Sequence, residues 1–333
     1  MPTIAGIKEA VERIGAFMAP TPLVRSGVLS HLFGLDVFLK IETTTLIGSF
    51  KLRGALNCVL AAGSSASMIV SSSTGNHGQG VAYAARLLGK SCTIFLPENP
   101  HPEKRRKIEL LGARTVSVGR DYDVAKEAAQ KFAAAPGCLF VDDGEDPFVM
   151  EGAGTIGWEI GEALEQLDTV VVPMGGGNLV SGTAVGVKAR HPRVKVVAVQ
   201  SESASAMHDS FLARHAVERE VRTVAECLAQ RVPAALALRA VLEFVDDSLT
   251  VADENLFSAA KALALYGHLL AEPGAAAGLA ALAVHPERFV PGSRVVVVVT
   301  GANLDSVTLS RLVGAEPIVR PRDEDHPRER LHQ

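Results

Sequence analysis

The chain has 333 residues, 47 % apolar and 21 % charged, with 33 basic against 37 acidic side chains and a formal net charge of −4. That balance gives no footprint for nucleic acid or an anionic membrane, so neither is expected as a partner. No apolar run reaches membrane-spanning length without Gly, Pro or charge, and no signal-peptide pattern opens the chain, so a cytoplasmic protein is expected.

In chain order, the first β-rich run covers residues 36–41 and leads to GSFKLRGA, Gly48 to Ala55. There Leu52 onward reads as a helix start. A lysine just after a glycine turn, with a phenylalanine before it, suits Schiff-base formation with a carbonyl; alone, GSFK equally describes a surface lysine. The next run, 68–71, precedes STGNHGQG, Ser73 to Gly80, and an alanine-rich helix at 79–88. Ser73, Thr74, Gly75, Asn76 and His77 then sit at a positive helix end suited to a carboxylate, although a capped helix start with a satisfied histidine fits the same residues.

Strands at 91–96 and 114–118 alternate with helices at 102–111, 124–134 and 155–167. A strand at 169–172 runs into PMGGGNLVSG, Pro173 to Gly182, whose consecutive backbone N–H groups suit a phosphate. This is neither GxGxxG nor a P-loop. A strand at 195–200 and a helix at 254–265 follow. The last strand, 294–300, is the most hydrophobic and ends in VTGANLD, Val299 to Asp305, with Thr300 at its carboxyl edge. Glu272 in AEPGAAAG has two readings, a site-facing carboxylate or a helix-start carboxylate.

Near-continuous apolar strands separated by helices indicate a doubly wound α/β architecture with a mostly parallel sheet buried on both faces. Loops at the carboxyl ends of such strands are where ligands bind, and four of them around one lysine suggest a shared site for a phosphorylated cofactor. Cys58, Cys92, Cys138 and Cys227 have no CxxC spacing and read as free thiols in the core. No HExxH or GxSxG is present, which disfavours transition-metal catalysis and a hydrolase elbow.

Together, in this order and spacing, the four loops resemble those of the fold-type II pyridoxal-phosphate enzymes, most closely the serine/threonine dehydratase branch that includes serine racemase. The likeness runs from about residue 10 to residue 312 and includes the KIE of Lys40 to Glu42 and EPGAAAG. It implies two doubly wound open sheets, as in the tryptophan synthase β subunit, with pyridoxal 5′-phosphate in the cleft between domains. The domains implied are 1–54 plus 144–315, an inserted 55–143, and a charged tail at 316–333. It further implies Lys51 as the Schiff-base lysine and Phe50 beside the cofactor ring. Ser73 to His77 become the substrate-carboxylate loop, with Asn76 also near the ring oxygen. Gly175, Gly176, Gly177 and Asn178 become the phosphate loop, and Thr300 the partner of the pyridine nitrogen.

The implied activity is an ammonia-lyase acting by β-elimination on L-threonine, L-serine or a related β-hydroxy amino acid, in a homodimer. A racemase or a β-replacement enzyme would share every cofactor loop and stays open. Thr74 stands where serine racemase carries the serine serving the second face of the α-carbon. Asn178 replaces the last glycine of the phosphate loop, and Thr45 and Ile47 replace a polar pair. The branch's divalent-cation ligands, a glutamate and an aspartate six residues later, are matched by Gln200 and Ala206, so no metal is expected.

Overall fold

A computed structural model describes residues 1–120 and 122–320. Its strands, in chain order, are β1 (Leu23–Arg25), β2 (Asp36–Ile41), β3 (Met68–Ser72), β4 (Ser91–Leu96), β5 (Arg114–Ser117), β6 (Cys138–Phe140), β7 (Thr169–Pro173), β8 (Lys195–Ser201), β9 (Asp247–Val251) and β10 (Arg294–Val299). Six of them form one sheet in the order β1-β2-β10-β7-β8-β9, parallel except for β1. The other four form an all-parallel sheet in the order β5-β4-β3-β6.

Burial explains the apolar runs. Along β10, Val295, Val297 and Val299 enter one core while Val296 and Val298 enter the core on the opposite face. The period-2 side-chain alternation therefore has no polar phase, because helices cover both faces. In the smaller sheet Ile69 and Val70 divide in the same way between two clusters.

Both sheets have a point where the strand order reverses, and ligands of open α/β sheets bind outside the carboxyl ends of strands at such points. In the large sheet the reversal lies between β7 and β10; in the small one it lies between β3 and β6. The loops that leave these four strands are thereby brought to facing crevices. The helices Pro147–Ala163 and Asn178–Lys188 fix the geometry behind them. A Cβ at Gly157 would fall 2.0 Å from the Thr183 carbonyl, and one at Gly182 would fall 2.2 Å from that of Met150. Only glycine permits this backbone approach.

The seven expected strands are present within a residue or so of their expected limits, and β1, β6 and β9 were not foreseen. Three-residue strands such as β1 and β6 are too short to show periodicity. The helix after STGNH starts at Asn76 rather than Gln79, and the helix expected at 155–167 is Pro147–Ala163. Its entry signal is Asp146, whose carboxylate accepts from the Phe148 and Val149 N–H groups, followed by proline at the first helical position. Ile318 and Val319 pack against the large-sheet core, and the Ile318 N–H donates to the Ser258 carbonyl. The remainder of the expected tail, 321–333, lies outside the described residues.

Candidate active site

Behind the site lies a buried polar network. Arg53, two residues into the helix Lys51–Ala62, is fully buried, as is Glu42. The guanidinium donates to Glu42 Oε2 and Oε1 at 2.7 and 3.0 Å and to Glu159 Oε1 and Oε2 at 2.6 and 2.9 Å. Lys40 Nζ completes the cluster through Glu159 and the Thr21 carbonyl. Two cations and two anions balance, and every charge is hydrogen-bonded, which is the condition under which buried ions are tolerated. The network ties the start of the Lys51 helix to the end of β2 and to the helix Pro147–Ala163. The turn before it is fixed by Thr45, whose hydroxyl donates to the Ser49 carbonyl at 2.7 Å and accepts from the Ser49 N–H at 2.9 Å. Ile47 is buried in the small-sheet core, and its carbonyl accepts from Asn303. The two departures upstream of GSFK are thus parts of the turn's support.

Lys51 begins its helix with Nζ 2.6 and 2.5 Å from the two carboxylate oxygens of Asp143 and 4.9 Å from the Phe50 ring centroid. Burial pushes the Asp143 carboxyl up, but Lys51, His77 and Lys126 outweigh it and hold it below the ordinary carboxylate value. His77 Nδ1 is 3.6 Å from Asp143 Oδ1, and its Nε2 lies 3.2 Å from the Val141 carbonyl. Asn178 donates from Nδ2 to the Asp143 carbonyl. The Phe50 N–H donates to the Thr300 carbonyl at 3.0 Å, and Ser49 bridges to Gly301. All four glycine-rich loops are therefore linked around the start of the Lys51 helix, two of them through Asp143.

Ser73 to Asn76 are half-buried, and Gly75 flanks the helix start without a side-chain cap, so the first N–H groups of the helix Asn76–Leu87 have no capping side chain. Ser73 Oγ accepts from the Gly75 N–H at 3.2 Å. Asn76 donates to Glu272 Oε1 at 2.7 Å and accepts from Asn303 Nδ2 at 2.8 Å. Glu272 precedes the turn Pro273–Ala276 without capping it, so of its two sequence readings the site-facing one holds. Burial, only partly offset by the Asn76 hydrogen bond, pushes the Glu272 carboxyl up to about 7. Gly175 and Gly176 follow β7, and Gly177, at φ 97°, turns the chain into the helix Asn178–Lys188. A Cβ at Gly175 would fall 2.5 Å from the Cys227 carbonyl. The four cysteines are free thiols.

The family model described as "Pyridoxal-phosphate dependent enzyme" matches residues 14–301. The chain belongs to this family. It is 37 % identical to an L-threonine ammonia-lyase of Thermotoga maritima over 94 % of this chain and 78 % of that one. It is 33 % identical to a catabolic L-threonine dehydratase of Staphylococcus aureus over 93 % and 92 %. Among solved structures, maize serine racemase superposes with a TM-score of 0.87 at 27 % identity, covering 94 % of this chain and 97 % of that one.

The residues present fit the family's cofactor. A glycine loop at a helix N-terminus supplies N–H groups and a favourable dipole for a phosphate. Asn178 Oδ1 and His77 Nδ1 are buried polar atoms without a hydrogen-bond partner among the described residues, as expected where a polar ligand completes the site. The branch's divalent cation is not matched in this way. Gln200 is fully buried, and its amide donates to the Gly175 and Leu228 carbonyls at 3.5 and 3.4 Å while its oxygen accepts from the His208 N–H at 2.9 Å. A neutral amide and the methyl of Ala206 are a poor donor set for Mg²⁺ or Ca²⁺.

Asp143 was not legible in the sequence. It follows β6, the unforeseen partner of β3, and lies 92 residues from Lys51 in the chain. Its only sequence signal was an acidic run, VDDGED, before a proline-started helix, and most of that run has structural work. Asp142 pairs with Lys126 and caps Gly144, and Asp146 caps the helix.

Proposed function

We propose that this protein is an ammonia-lyase that converts L-threonine, L-serine or a related β-hydroxy amino acid to a 2-oxo acid and ammonia by β-elimination. The observation that carries the reading is the linkage of the four loops around Lys51, through Asp143 to His77 and Asn178 and through the Phe50 backbone to Thr300. The lyase and dehydratase named among the relatives, at 37 % and 33 % identity over nearly the whole chain, support it.

In this reading Lys51 would hold pyridoxal phosphate through its nitrogen and Phe50 would flank the ring. The backbone N–H groups of Gly175, Gly176, Gly177 and Asn178 would hold the phosphate, Asn76 would face the ring oxygen, and Thr300 would face the pyridine nitrogen. Bound there, the cofactor supplies an electron sink conjugated with the substrate's amine. The Ser73, Thr74, Gly75, Asn76 and His77 loop holds the substrate carboxylate at the helix N-terminus and orients the α-hydrogen toward the Lys51 amine. Lys51 takes that proton, with the Asp143 carboxylate beside the resulting ammonium. The β-hydroxyl then leaves with a proton as water, and hydrolysis of the enamine product gives the 2-oxo acid and ammonia. A neutral hydroxyl at Thr300 would leave the bound ring a moderate sink, which suits elimination.

We assign the sheets to a large domain, 1–54 plus 144–315, and an inserted domain, 55–143. Cytoplasmic free thiols and a homodimer complete the proposal. No helix among the described residues is long and apolar enough to cross a membrane.

Cofactor-loaded protein incubated with L-threonine or L-serine is expected to release 2-oxo acid and ammonia one to one. Lys51→Ala is expected to lose the visible absorbance of the attached cofactor and turnover together. Turnover surviving that change would refute the assignment. Chiral analysis of the remaining substrate separates elimination from racemisation through Thr74.

A further inference from the structure

The switch point of the small sheet contributes two loops to the cleft, one after β3 and one after β6. The first is the STGNH loop. The second carries Asp143, which neither the phosphate nor the substrate carboxylate accounts for, since an anion there would repel both. Yet it is held firmly. Its carbonyl accepts from Asn178 and its carboxylate meets Lys51 through both oxygens, with His77 close by. The neighbouring Asp142 is committed to Lys126 and the Gly144 N–H, so Asp143 is the acidic side chain of this segment bonded to the site lysine.

Resting on the proposed function, two landmarks bracket a bound amino acid: Lys51 Nζ marks its amine end and the His77 loop its carboxylate end. Asp143 touches the first at 2.6 Å and stands 3.6 Å from the second. The substituent on the α-carbon of an amino acid spanning these landmarks lies beside the Asp143 carboxylate. The two Asp143 oxygens together offer more acceptor sites than the Lys51 nitrogen occupies, so the carboxylate can accept from the substrate as well. The charged or ionisable groups around this carboxylate also include His77, Lys126, Tyr122 and the neighbouring Asp142. We infer that Asp143 is a specificity-determining residue: it selects amino acids whose β-substituent donates a hydrogen bond or carries positive charge, and turns away those whose β-substituent is anionic.

A fixed carboxylate discriminates in both directions, attracting a hydroxyl or ammonium and repelling another carboxylate. A charge-assisted hydrogen bond gained or lost corresponds to roughly a 10- to 100-fold change in affinity.

The test titrates cofactor-loaded wild type, Asp143→Asn and Asp143→Ser at pH 7 with L-serine, L-2,3-diaminopropionate and L-aspartate. The readout is the visible absorbance of the bound cofactor, which responds to an incoming amine whether or not elimination follows. Wild type is expected to bind serine and diaminopropionate more tightly than aspartate. In both variants the diaminopropionate-to-aspartate affinity ratio is expected to fall roughly 10- to 100-fold. An unchanged ratio in either loaded variant overturns the inference, as does a wild type that prefers aspartate. Charge-selective binding without 2-oxo acid from serine or threonine would refute the lyase reading and leave Asp143 standing. Release of 2-oxo acid with unchanged ratios would do the reverse.

Discussion

Glu272→Gln isolates a single half-buried carboxyl. Glu272 accepts from Asn76 at 2.7 Å, and burial raises its carboxyl from the ordinary 4.5 to about 7 against the opposing pull of Asn76, Lys104 and Lys107. A carboxyl that binds its proton more tightly in the folded state contributes stability that is fully present below pH 4.5. That contribution is lost as pH rises through 7. The displacement corresponds to about 3 kcal/mol at its limit, of which about 2–3 kcal/mol falls between pH 5 and pH 8. Glutamine keeps an oxygen for Asn76 and cannot ionise. Reversible urea unfolding of the cofactor-free protein at both pH values, for wild type and variant, gives the difference directly. The variant is expected to gain about 2–3 kcal/mol relative to wild type on going from pH 5 to pH 8. Identical pH dependence in the two proteins would refute a proton-retaining Glu272.

Two further predictions concern the supports of the site. Arg53→Ala removes the partner of two carboxylates and is expected to cost about 3–5 kcal/mol of unfolding free energy, read from urea midpoints; a loss below about 1 kcal/mol would refute the network's role. Chelation followed by Mg²⁺ or Ca²⁺ addition is expected to leave turnover and cofactor affinity unchanged, because the Gln200 amide already links Gly175, Leu228 and His208. Gln200→Ala is expected to weaken cofactor affinity about tenfold, and a chelated wild type that recovers only with cation would overturn this reading.

The sequence by itself determined the four loops, their order, the lysine among them and the buried character of the central strands. These features are local: a glycine turn, a helix start or an apolar run is written in consecutive residues. It also carried Thr45, Arg53 and Glu42, although their function as supports became visible only when the turn and the network were built around them. Tertiary structure alone decided which way Glu272 faces, because its partner Asn76 lies 196 residues away. It alone placed Asp143, through a three-residue strand whose existence depends on pairing with β3 rather than on its own pattern. It also showed that Gln200 binds backbone carbonyls with its amide. Local propensity fixes which groups a loop offers; the reversal of strand order in two sheets fixes which loops face one another, and that is settled by burial and pairing across the whole chain.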